Sequence, residues 1–119
     1  MSAAAGSFAR ALDVVTRVRG VRGAMLVARG DGLVVAEQLM EGIKGGAVAA
    51  LAASLAGRLH RTMVTAGLGP SQFWHLQCDQ GALLVVPAGE SLLVVAITDP
   101  EVNVGLVRLE LLRASEVAT

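Results

Sequence analysis

The chain has 119 residues, enough for one domain built around one hydrophobic core. Ten basic and ten acidic side chains balance to zero net charge, which argues against nucleic acid or an anionic membrane as main partner, since both need a basic footprint. Hydrophobic residues make up 54% of the chain and mean hydropathy is +0.62, so apolar surface is expected beyond the core.

Aromatic residues are only 3%, so the core must be built from Val, Leu and Ala. The single cysteine, Cys78, excludes an internal disulfide and a multi-Cys zinc site and fits a reducing compartment. The segment MSAAAGSFAR lacks the basic-then-apolar pattern of a signal peptide. The longest uncharged run, Gly45 to Gly57, is too short and too glycine-rich to span a bilayer. The expectation is a cytoplasmic protein with no membrane insertion.

In chain order, Ser7 is expected to cap a helix from Phe8 to about Val18, with Phe8, Ala11, Leu12, Val15 and Val18 at helical spacing. Gly20 ends it. A strand follows from Ala24 to Ala28, and Asp31-Gly32 turns it into a return strand from Leu33 to Ala36 or Glu37. Arg29-Gly30-Asp31 is also a tripeptide that some cell-surface receptors recognise, but the hairpin reading is the simpler one. Leu39 to Gly46 reads as a loop.

Gly45 to Ala66 reads as one long helix, stopped by Gly67. Ala47, Leu51, Leu55, Leu59 and Met63 recur every fourth residue, and this stripe is expected to pack on the chain's own sheet. Gly46, Ala49, Ala50, Ala53, Ser54 and Gly57 form a second face of small residues, with no charge between Lys44 and Arg58. A solvated face would carry charge. This small-residue face is expected to meet the same helix of a second copy.

Three strands come next: Gln72 to Cys78, Ala82 to Val86, and Ser91 to Thr98, with Pro87-Ala88-Gly89-Glu90 as the last turn. The runs ALLVV and LLVVAIT are continuously apolar, as in strands covered on both faces. The strand Gln72 to Cys78 has no partner on its far side, and a bare edge invites another chain. A final helix runs from Asn103 or Val104 to about Ser115, with Asn103 as its cap. The fold expected is α+β, in the order α-β-β-α-β-β-β-α. Its five-stranded, mainly antiparallel sheet carries the long helix on one face and the two terminal helices on the other.

In this order the residues resemble the roadblock/dynein-light-chain family, in its bacterial MglB-like branch. The resemblance is carried by Gly20-Val21-Arg22-Gly23-Ala24, by Asp31-Gly32-Leu33-Val34, and by the alanine-rich helix ending in Gly67-Leu68-Gly69. Asn103-Val104-Gly105-Leu106-Val107-Arg108, at the last helix, completes it. Together these span roughly residues 8 to 115. The structural positions implied are Gly23, Asp31, Gly32, Asn103, Gly105 and Arg108. The resemblance implies a roadblock/profilin-like domain that is not an enzyme and holds no cofactor. It also implies a homodimer formed through the long helix and the middle edge strand, which binds a small Ras-like GTPase on its paired helices. Ala50, Ala53, Ser54, Gly57, Phe73, His75 and Gln77 are then the expected dimer seam. Arg58 and Arg61, just beyond the small-residue face, are expected to meet acidic groups of a partner, against the simpler reading of solvated rim charges.

No residue carries a signature of chemistry. His60 has no second His one turn away, since Ala56 and Val64 stand there, so no metal is expected. Cys78 reads as a small strand hydrophobe. Gly67-Leu68-Gly69 is followed by Pro70, not by a phosphate-binding helix with Lys. Arg108 is expected to reach the Asp31 hairpin or a backbone carbonyl. Two other functions remain open: an assembly subunit that docks a scaffold or receptor without a GTPase, and a small-ligand sensor, which would need a polar-lined pocket.

Overall fold

The computed structural model describes residues 3–119. The elements are α1 (Ala3–Thr16), β1 (Val21–Ala28), β2 (Val34–Leu39), α2 (Gly45–Thr65), β3 (Trp74–Gln77), β4 (Ala82–Ala88), β5 (Leu92–Thr98) and α3 (Val104–Ala118). The strands form one antiparallel sheet in the order β2-β1-β5-β4-β3. The α+β layout and element order are therefore as the sequence indicates, and β3 and β2 are the two edges.

Each face of the sheet has its own core. Leu12 and Val15 of α1 and Val107 and Leu111 of α3 pack with Ala24, Leu26, Leu84 and Val94. Ala49, Ala52 and Ala56 of α2 pack with Met25, Val27, Val85 and Val95 on the other face. The strands β1, β5 and β4 supply both clusters alternately, which is why they are so nearly free of polar positions.

Several boundaries move, each for a local reason. α1 begins at Ala3, so Ser7 lies inside the helix and not at its cap; its Oγ accepts from Arg10 Nη2 at 3.2 Å. The alanine run before it has the best helix propensity and carries the helix back. β1 starts at Val21, beside β5. β2 runs on to Leu39, into the expected loop, because Gly23↔Leu39 continues the ladder. Pro87 and Ala88 belong to β4 and not to a turn. β3 pairs β4 only as far as Trp74↔Val85, so Pro87 lies past that ladder, where a missing N–H is tolerated. Cys78 is exposed just after β3, outside any apolar strand interior.

Two helix ends follow the sequence closely. After α2, Gly67 takes φ +82°, its N–H donates to Val64 O at 3.0 Å, and Leu68 N–H donates to Met63 O at 2.9 Å. This is a Schellman cap, and the left-handed residue it needs is the glycine. Before α3, Asn103 Oδ1 accepts the Leu106 N–H at 3.0 Å. Asn103→Ala should cost about 1 kcal/mol. Urea denaturation of the variant against wild type measures this as a lower midpoint at unchanged slope.

Candidate partner-binding surface

The long helix does not sit as its leucines suggest. Its buried positions are Gly45, Ala49, Ala52 and Ala56, so the alanines face the sheet. The stripe expected there is open instead: Ala47 is exposed, Leu51 is 49% exposed, and Leu55, Leu59 and Met63 are only half-buried. Short side chains bring a helix axis close to its sheet. Here that approach is tight at the first turn, where a Cβ on Gly45 would fall 2.6 Å from Glu37 Oε2 and 2.7 Å from Leu39 Cδ1. A Leu at the alanine positions would hold the helix away.

The remaining small residues form one flank of α2, and the chain's own β1–β2 hairpin lies against it. Gly32 takes φ +74°, and a Cβ there would lie 3.2 Å from Ala50 Cα and 3.4 Å from Ala53 Cβ. Only glycine meets both demands, of torsion and of space. The turn is closed by Asp31 Oδ1 accepting the Leu33 N–H at 3.0 Å, an Asx turn that accounts for Asp at this position. Ala50, Ala53, Ser54 and Gly57 therefore line a groove of about 340 Å³ together with Arg58 and Arg61. Ala50, Ser54, Arg58 and Arg61 are exposed, and Ala53 and Gly57 are half-buried. Arg29 of the hairpin also lines it. No local pattern in the sequence could have joined Arg29 to residues of α2.

The opposite flank carries Val48, Leu55 and Leu59, with Leu51 at its outer border. Because the small flank meets the β1–β2 hairpin, this one points along the sheet toward β4 and β3. There Trp74 and Leu76 stand on the α2 side, opposite Val85 and Leu83. Trp74 packs on that core, and Leu76 is 41% exposed. His75 and Gln77 point to the other side of β3, where His75 Nε2 and Gln77 Oε1 are 2.8 Å apart and Gln77 Nε2 donates to Pro100 O at 2.9 Å. Phe73 precedes the strand and packs on the α1–α3 core. The alternation in FWHLQC held the signal for Trp74 and Leu76, but which alternate set shares a face with α2 depends on the pairing with β4.

Among the described residues the Arg108 side chain bonds neither the Asp31 hairpin nor a carbonyl. Its guanidinium lies over the Phe73 ring, 5.4 Å from the centroid, a cation–π contact between α3 and the start of β3. Gly23 lets β2 close on β1, since a Cβ there would fall 2.6 Å from Leu39 Cδ2. A Cβ on Gly105 would touch Asn103 Oδ1 at 3.6 Å, an ordinary contact, so no steric demand for glycine operates at that position. Among the described residues no group of three His, Cys, Asp or Glu side chains could hold a metal ion, and no helix is long and apolar enough to cross a membrane.

The Roadblock/LC7 domain profile matches residues 8–97. An uncharacterised protein of Methanocaldococcus jannaschii is 37% identical over 107 residues, covering 90% of this chain and 92% of that protein. The structure of the gliding protein MglB from Thermus thermophilus superposes with a TM-score of 0.87 at 27% identity, covering 99% of this chain and 90% of the other. A second MglB structure, described as having a tetrameric arrangement, gives a TM-score of 0.89 at 27% identity, over 99% of this chain and 89% of that one. A helix laid on a five-stranded sheet through alanines, a glycine hairpin docked on its flank and this match over most of the chain agree: the protein belongs to the Roadblock/LC7 family.

Proposed function

We propose that the protein is a non-catalytic, cytoplasmic homodimeric adaptor that binds a small Ras-like GTPase on its paired α2 helices and modulates the nucleotide cycle. The observation that carries this is the leucine flank of α2 beside the unpaired edge of β3. Leu51 alone, at 49% exposure, forgoes about half of the roughly 1.5–3 kcal/mol that full burial of a leucine contributes. Pairing β3 with its own copy satisfies the edge and brings the two leucine flanks together. The dimer seam proposed is thus Leu51, Leu55, Leu59, Trp74 and Leu76, joined by the backbone of His75 and Gln77. It leaves the groove lined by Ala50, Ala53, Ser54 and Gly57 on the far side of each helix, open to a partner beside Arg58 and Arg61. The similarity to MglB supports the GTPase as that partner.

Mixing the purified protein with a Ras-like GTPase encoded beside its gene, in GDP and GTP states, tests the reading. A complex in at least one state and an altered rate of hydrolysis or exchange are expected. Absence of a complex in both states, with a well-behaved GTPase, would count decisively against it. Gly57→Arg, which puts a long cation on the partner flank, should then abolish the complex while the dimer mass stays at wild type.

A further inference from the structure

We propose that the groove between α2 and the β1–β2 hairpin binds an extended acidic segment of the partner protein, with Arg29, Arg58 and Arg61 pairing its carboxylates. This rests on the reading of α2 as the partner-binding helix and specifies the chemistry that helix meets. Three arginines, one from the hairpin and two from α2, line one groove of a chain whose net charge is zero. Among the described residues the ion pairs lie elsewhere, at Arg22–Asp99 (2.7 Å) and Arg113–Glu110 (3.2 Å). Among the described residues the Arg29 guanidinium donates to Gly89 O alone, at 3.4 Å, while its backbone N–H goes to Ser91 O. The one acid in the lining, Asp31, already accepts the Leu33 N–H at 3.0 Å.

The floor between the cations is Ala50, Ala53 and Gly57, which carry nothing beyond Cβ, with the Arg61 guanidinium 3.4 Å from where a Cβ on Gly57 would stand. Guanidinium forks suit carboxylates, which they bind through paired hydrogen bonds. A volume of about 340 Å³ suits a short extended stretch, whereas a helix roughly 10 Å across would not enter. The walls are fixed before binding, because Gly32 packs directly on α2. Nucleic acid is the weaker candidate: three cations supply few of the phosphate contacts a nucleic-acid site uses, and no aromatic ring stands among them as a stacking platform.

An amide NMR titration of the full chain with a short polyglutamate peptide tests this. Shifts should concentrate at Arg29, Ser54, Gly57 and Arg58 and fade as ionic strength rises. Binding should weaken roughly threefold in Arg29→Gln and again in Arg58→Gln, the size of one exposed ion pair each. Shifts spread evenly over the surface, wild-type affinity in Arg29→Gln, or tighter binding of a short oligothymidylate than of the peptide would each overturn the proposal. With the GTPase, weaker complexes of both variants support it. A complex unaffected by either substitution overturns the groove and leaves the adaptor reading intact. No complex at all, with the peptide still held at the groove, overturns the adaptor reading and leaves the groove standing.

Discussion

Leu51→Glu is expected to give a folded monomer. The wild type should run at twice its 12.2 kDa chain mass in light scattering, and the variant at the single-chain mass with an unchanged circular dichroism spectrum. The substitution is clean because Leu51 is 49% exposed within one chain, so its loss removes little from the monomer core. In the proposed dimer the same position lies between two leucine flanks, and a carboxylate buried there without a partner costs several kcal/mol. A cost of about 3 kcal/mol weakens association roughly a hundredfold. Leu76→Glu, on β3, should act in the same direction through the edge-strand side of the seam. Retention of the wild-type mass in both variants would rule out a seam on this flank.

Ala52→Leu should have the opposite character: little effect on association and a large loss of stability. Ala52 has no exposed surface and lies between α2 and the central strands, in contact with a core that includes Met25 and Val95. Three added carbons have no space where the helix rests on alanines, and overpacking of this kind costs about 1–3 kcal/mol. Because dimer formation itself stabilises a folded chain by mass action, the comparison belongs in the Leu51→Glu background. There the urea midpoint should fall on adding Ala52→Leu and stay nearly constant on replacing Leu55 with the similarly sized Met. The two residues stand on different faces of α2, and their contrast reports which face meets the sheet. A neutral Ala52→Leu would mean that the helix stands off the sheet.

Much of the fold was legible because it rests on local rules. The Schellman cap at Gly67, the Asx turn at Asp31 and the Asn103 cap are short-range hydrogen-bond patterns written in a few consecutive residues. The apolar runs of β4 and β5 state directly that both their faces are covered. The order of elements then leaves few ways to bury each apolar surface once.

The candidate site was legible only in part. The sequence shows two apolar faces on α2, one of leucines and one of small residues, and nothing in it ranks them. The usual rule that the larger hydrophobe goes inside favours the leucines, and it fails here.

Composition and periodicity alone determined the α+β class, the element order, the length of α2 and the presence of apolar surface beyond the core. Tertiary structure decided that Ala49, Ala52 and Ala56 face the sheet, that the Gly32 hairpin takes the adjoining flank, and that Arg29 joins Arg58 and Arg61. The reason is distance. A helix period is a property of neighbours along the chain, whereas the fit of alanine against a strand, or of a glycine turn against a helix, depends on residues far apart in the chain meeting across space.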